Sequence, residues 1–240
     1  MKTTRIPGIH RVAALLALAC LAAPRLAAQP VLPRNAAAAG LWMGDVSLDR
    51  VGGASGPVAN PDPTSAPLRF RILLHADTDG RVRLLKDVVV AKRDTPVFDP
   101  VLVTDPSKLA TLDLERNKEQ AIAGRRFTTV GYDFAGTTLP FDGGLGAGFT
   151  CTGTVILSNT APTNPFRHPF HPDHGNTGSR AITVQRQVTV TFAAPAASGV
   201  TIDQVPATYD ETVTGLIGTP VTVRGSVVMR RISRTAILNQ

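Results

Sequence analysis

Between residues 41 and 235 apolar and polar side chains alternate in steps of two, and the alternation restarts after each cluster of Gly, Pro, Asn and Asp. The three-to-four spacing of an amphipathic helix is nearly absent. Alternation with period two presents one apolar and one polar face along an extended chain, the pattern of antiparallel sheets with one face on a core and one in water. The stretch Ala181 to Phe192 is the cleanest case: Ile182, Val184, Val188, Val190 and Phe192 share a face, threonines occupy the other, and Arg186 interrupts the apolar row. In "FTCTGTVIL", Phe149, Cys151, Gly153, Val155 and Leu157 oppose a row of threonines. Further strands are predicted at Leu41 to Val51, in "PVLVTD", at Arg125 to Phe134, in "TYDETVTGL" and in "VTVRGSVVMRRIS". Asp105 before Pro106 reads as an N-cap with proline at the first helical position, so "PSKLATL" is expected to form one short helix. The fold class expected is all-β, a mainly antiparallel sandwich or partly closed barrel of eight to nine strands.

One hairpin can be given a register directly. In "FRILLHADTDGRVRLLKDVVV", Gly80 suits the left-handed position that ends a three-residue loop, which pairs Asp77 with Arg81. Continued outward, this register sets His75 opposite Arg83 and Arg71 opposite Asp87 on a wet face, with Phe70, Leu74, Ala76, Val82, Leu84 and Val88 on the other. The stretch "GGASGPVANPDPTSAP" that precedes the hairpin is a loop by composition.

The first 28 residues read as an export signal. Lys2, Arg5 and Arg11 precede an apolar run from Val12 to Ala23, and small residues at Ala27 and Ala28 favour cleavage before Gln29. Cys20, at the end of "ALAC", offers lipid attachment as the alternative, with Ala17 where leucine is preferred. The apolar run is too short to span a bilayer and no longer one follows, so no membrane-spanning segment is expected. Removing residues 1–28 takes away four basic residues and no acid, lowering the formal charge from +7 to +3. What remains alternates in sign, so nucleic acid is not the expected partner. Cys151 is then the one thiol left. It permits no intramolecular disulfide, and its place in an apolar row marks it as a small buried hydrophobe. The organisation expected is a signal at 1–28, a linker at 29–40, one β domain at 41–235 and a tail at 236–240, placed in the periplasm, at the cell surface or outside the cell.

Three of the chain's five histidines lie within "NPFRHPFHPDHGN", residues 164–176. Pro169 and Pro172 exclude a helix there. "HPDH" fits a β-turn that brings His171 and His174 close enough to chelate one ion, with His168, Asp173 or Asn176 as a further ligand and zinc as the natural cation. The other reading is structural: Phe166 and Phe170 pin the loop while its histidines and Asn176 satisfy backbone groups. "DTDG" at 77–80 lacks the third acidic position and the distal glutamate of a calcium loop. No Gly-x-Ser-x-Gly elbow, phosphate-cradling glycine loop or His-Glu-x-x-His helix occurs. Asp210 and Glu211 point to opposite faces of one strand, which spoils acid/base cooperation. "RRISR" reads as a solvated strand end.

The order "LWMGDVSLDRV", "RILLHADTDGRVRLL", "NPFRHPFHPDHGN" and "YDETVTGL…VTVRGSVVMRRIS" resembles a β-rich domain of large exported bacterial surface proteins, over most of residues 41–235. The resemblance implies an exported envelope module and, since that domain has no assigned activity, no catalytic residue. The function expected is a non-enzymatic binding or structural module acting on an envelope or extracellular ligand, with residues 52–68 and 159–180 as its contact surface. A metal-binding, hydrolytic protein built on the histidine loop is the alternative, with Asp173 as its local acid.

Overall fold

A computed structural model describes residues 32–52, 58–59, 68–92, 100–109, 124–161, 164, 182–216 and 218–239. The strands are β1 (Gly40–Gly52), β2 (Val58–Ala59), β3 (Leu68–Ala76), β4 (Val82–Leu85), β5 (Asp87–Lys92), β6 (Pro100–Val103), β7 (Arg125–Thr128), β8 (Thr138–Gly143), β9 (Thr150–Leu157), β10 (Val184–Phe192), β11 (Gln204–Thr214) and β12 (Val221–Ser233). Eight of them pair antiparallel in the order β1, β3, β4, β8, β9, β10, β11, β12, and β12 returns to β1, so the sheet closes into a barrel. The all-β expectation holds, and of the two architectures it is the barrel that forms.

The alternating pattern explains the closure. Inward positions carry Trp42, Val46, Ile72, Leu74, Phe141, Val188, Val190, Phe192, Tyr209, Val227 and Met229, all buried in one cluster. Outward positions on β9 to β12 carry Thr152, Thr189, Asp210 and Arg224. Apolar inside and polar outside is the inverse of a lipid-embedded barrel. Two inward glycines make room for neighbours: a Cβ on Gly153 would overlap the Phe141 ring, and one on Gly44 would meet Met229 Sδ and Val227.

A three-stranded sheet, β6-β5-β7, is inserted between β4 and β8. Its inner face, Val88, Val90 and Leu102, packs on Leu41, Leu73 and Leu85 of the barrel's outer wall. Its outer face carries Val89, Ala91, Val101 and Val103, with Leu109 against them. This second sheet corrects the hairpin's outer half. Gly80 does take φ +75° and the pairs His75↔Arg83 and Leu74↔Leu84 form as expected. The ladder nevertheless ends at the Leu74↔Leu84 pair, and β5 leaves for the second sheet. Arg71 therefore pairs with Asp45 of β1 at 2.9 Å, and Asp87 with Arg126 of β7 at 2.8 Å, instead of with each other. The hairpin's outer face is wet at Arg71 and Arg83 but not at His75, which is fully buried beneath the chain's last residues, where Thr235 O lies 3.2 Å from its Nε2. Those residues run on to Leu238, which bridges Leu102 in parallel, and Asn239, whose side-chain oxygen accepts from the Thr104 and Asp105 amides.

Other expectations meet the structure in detail. Asp105 caps the single helical turn α1 (Pro106–Leu109), its Oδ1 accepting from Ser107 N at 2.9 Å. The strand expected over 125–134 stops at Thr128, and β2 forms a two-residue pairing with Arg50 and Val51 inside the stretch read as loop. β8 carries none of the alternation strongly and was not anticipated.

β4 is short, so β3 loses its neighbour beyond Leu74. Residues 129–134 take that place: Leu73 N donates to Thr129 Oγ1, Val130 N donates to Arg71 O, and Tyr132 and Phe134 enter the core. The opposite end of the barrel is stopped by a 3-10 turn, Ala36–Ala38, capped by Asn35. Asn35 Nδ2 donates to Leu145 O, Trp42 Nε1 donates to Ala38 O, and Ala38 is buried. Part of the stretch ascribed to a linker is thus a plug in the core.

The Gly153 contact is testable. Gly153→Val forces the Phe141 ring out of place and is expected to lower stability by about 1–3 kcal/mol, read as a lower urea midpoint, while Thr154→Val on the outer face leaves the midpoint nearly unchanged. Equal midpoints for both variants would refute the packing described.

Candidate functional site

His168, His171, His174, Asp173 and Asn176 lie outside the described residues, as does Cys20. The neck of their segment is described. Asn164 is buried, and its Nδ2 donates to Ser158 O at 2.9 Å and to Ile182 O at 2.7 Å, tying together the two chains that leave β9 and enter β10. Among the described residues no group of three or more His, Cys, Asp or Glu side chains is placed to hold a metal ion.

The chemistry that the barrel does bring together is internal. Arg186, the residue that breaks the apolar row of β10, points inward and donates from Nε and Nη2 to the Glu211 carboxylate, and from Nη1 to Gly131 O. Its guanidinium carbon sits 4.1 Å from the centre of the Tyr132 ring. Tyr209 Oη donates to Glu211 Oε2 at 2.6 Å and is hydrogen-bonded to Tyr132 Oη. Phe70 packs edge-on against both tyrosines. Burial and the Glu211 charge push both phenols well above their usual range. Burial opposes the Arg186 charge, but hydrogen bonds and charge from Glu211 outweigh it and hold the guanidinium's pKa up. Each polar atom of this cluster has a partner, so it is a closed network: it binds residues 129–134 to the barrel and has no proton poised for transfer. Asp210 and Glu211 do face opposite ways, Asp210 outward to Arg224 and Glu211 inward to Arg186.

Cys151 is buried in the same core, and burial alone pushes its thiol up to about 12, so it is no nucleophile. His75 is the described residue with an orphaned polar atom: its Nδ1 is buried without a hydrogen-bond partner. Desolvation dominates over the Thr235 carbonyl and the Asp77 charge, and lowers its pKa from 6.5 to about 4.

At the plugged end the reading of "RRISR" as solvated is corrected at Arg231 and at Ser233, which is buried. Arg231 is buried, with 4% of its side chain exposed. Its Nε donates to Asp203 Oδ1 at 2.7 Å, Nη1 to Ala37 O and Ala39 O, and Nη2 to Ile202 O, and its guanidinium lies 5.1 Å from the Trp42 ring centre. It thereby joins β12, the 3-10 plug and the turn before β11. Arg234 donates to the other Asp203 oxygen at 2.7 Å, and the Arg231 and Arg234 hydrogen bonds hold the Asp203 carboxyl below the usual carboxylate range. The alternation places Arg231 on the strand's inner row, the one available signal that it is not solvent-facing.

Among the described residues no helix is long and apolar enough to cross a membrane. No protein-family model, no curated protein and no solved structure matches the chain.

Two outcomes follow from the buried ionisable groups. Glu211→Ala leaves Arg186 inside the barrel without its counter-charge and is expected to cost about 3–5 kcal/mol, whereas Arg186→Met combined with Glu211→Ala costs less than the two single variants added together; additive losses in a denaturation cycle would show the pair to be uncoupled. His75 has a folded-state pKa below its unfolded value, so its neutral form is favoured by the fold: its contribution is whole above pH 6.5 and is lost as pH falls towards 4. The span corresponds to about 3 kcal/mol at most, and His75→Gln should flatten that part of the stability-against-pH curve measured by urea unfolding.

Proposed function

We propose that the protein is an exported, non-enzymatic binding module of the cell envelope or extracellular space, and that its contact surface lies at the barrel end formed by the strand termini Gly52, Leu68, Leu157 and Val184. The observation that carries this reading is the rim at that end. The register pairs Leu157 with Val184, Val213 with Val221, Val51 with Val223 and Leu48 with Leu68, so these strand ends form one mouth. Val51 and Leu68 occupy inward positions there yet are 56% and 68% exposed. Apolar side chains in open positions on rigid strands are the common ground of binding surfaces. Both stretches expected to form the contact surface, 52–68 and 159–180, leave from this mouth.

The closed Arg186–Glu211–Tyr209–Tyr132 network favours binding over catalysis, because its groups are occupied with one another. The signal-like residues 1–28 and the resemblance to domains of exported surface proteins support the location. A metal-binding role for His168, His171, His174 and Asp173 rests on their spacing alone, between Asn164 and the start of β10.

The test is sedimentation with envelope fragments from the source cells. The mature protein is expected to pellet with them, and the double variant Val51→Asp, Leu68→Asp to stay in solution with its thermal unfolding unchanged; a wild-type protein that stays in solution overturns the proposal. Elemental analysis of untagged protein beside His171→Ala, His174→Ala decides the metal reading: one equivalent of zinc lost in the variant establishes it, and no metal in either protein ends it.

A further inference from the structure

We infer that the seam between the barrel and the inserted sheet is a second binding site, distinct from the mouth, for a small monocarboxylate with an apolar body. A groove of about 340 Å³ lies there, walled by Val90 of β5, Pro100 of β6 and Ile232 of β12, with Asp203, Arg231 and Arg234 at one side. Its volume falls in the range of small-molecule sites, and its walls stand on strands of both sheets, so it is preformed. It lies at the plugged end of the barrel, where Arg231 pairs with Trp42 across β12 and β1, while the mouth is at the other end of β1.

The polar side selects the charge. Two guanidiniums face one carboxylate, leaving one positive charge in excess, which a monoanion balances. Arg231 is largely engaged: Asp203, Ala37 O, Ala39 O and Ile202 O take up four of its five N–H donors, and 4% of its side chain is exposed. Arg234 is not, since a single hydrogen bond from Nη2 to Asp203 Oδ2 engages its fork and 65% of its side chain is exposed. Arg234 can therefore offer a second pair of N–H groups to a ligand carboxylate, the bidentate geometry for which arginine is suited. Asp203, itself held by the buried Arg231, fixes where that fork stands. The apolar walls then take a hydrocarbon or aromatic body, which a free inorganic anion would leave unmatched.

The probes are octanoate, octanol and octylammonium, titrated into the full mature protein by NMR, with Arg234→Gln and, as a remote control, Arg69→Gln. Octanoate is expected to bind once per chain with shifts at Val90, Ile232 and Arg234. Octanol should bind about tenfold more weakly, as the loss of a charge-assisted pair implies, and octylammonium more weakly still. Arg234→Gln should bring octanoate down to the octanol affinity at unchanged thermal unfolding, and Arg69→Gln should change nothing. Equal affinity for octanoate and octanol, an unaffected Arg234→Gln variant, shifts confined to the mouth, or no binding would each overturn the inference. None of these results depends on envelope sedimentation, so the two proposals stand or fall separately.

Discussion

The pairing of the first barrel strand with the last is the contact on which everything else rests. β1 runs thirteen residues and holds β3 along one edge and β12 along the other, so it is the strand through which the sheet becomes a closed surface. Closure pairs the first and last barrel strands with each other, so neither is left as a free edge. It also joins residues from the two ends of the domain: the Arg231 hydrogen bond to Ala37 O spans 194 positions. Bringing such distant segments together carries a loop-closure cost on the order of 5 kcal/mol, and with no disulfide among the described residues the compensation comes from burial. The inward rows of Trp42, Tyr209, Met229 and their neighbours supply it.

Closure at the two ends is managed by different chemistry. The plugged end uses a short helix turn, the Trp42 indole and the five-donor guanidinium of Arg231, which satisfy backbone carbonyls that would otherwise be stranded. The mouth instead keeps inward-facing apolar positions open, with the tyrosines of the ionic network packed on Phe70, the next inward residue of β3 after Leu68. Buried charges add little net stability against well-packed apolar residues. What the Arg186–Glu211 pair does supply is direction: Arg186 bonds Gly131 O and stacks on Tyr132, so residues 129–134 can settle in one way across the wall that β4 leaves short.

Fold class and the faces of individual strands were legible because they rest on period two, a local property. Cys151, Val155, Val188 and Phe192 are buried where the alternation puts them, and the Asp77–Gly80 turn sets the register of its own hairpin. What was not legible is what covers the outer faces. "VVVA" is a continuous apolar run, the mark of a strand buried on both sides, and reading it as the outer half of an alternating hairpin put Arg71 opposite Asp87. His75 and Arg231 were judged polar and hence wet. The first is covered by the chain's own final residues and the second is engaged by the plug at Ala36–Ala38, contacts between segments that no local pattern encodes. The histidine segment shows the same boundary from the other side: Asn164 at its neck is fixed by Ser158 and Ile182, just beyond the ends of β9 and β10, whereas the spacing of His168, His171 and His174 specifies only what they can do if brought together.

Arg186 is where local and long-range information meet. On pattern alone it is a fault in an otherwise apolar row, and a fault of that kind has two explanations: a broken strand, or a buried partner elsewhere in the chain. The first is excluded by β10, whose ladder with β9 and β11 runs unbroken past it. The partner, Glu211, sits on the neighbouring strand, itself flanked by an outward Asp210, so its pattern also shows an acid on an apolar row. Two complementary faults on strands that pair are a stronger signal than either fault alone, since an unpaired charge in a barrel core would cost more than the domain can spare. Read together, they place an ion pair inside the barrel and imply that the two strands are neighbours, which is the one piece of tertiary structure that the interruptions in an alternating sequence can disclose.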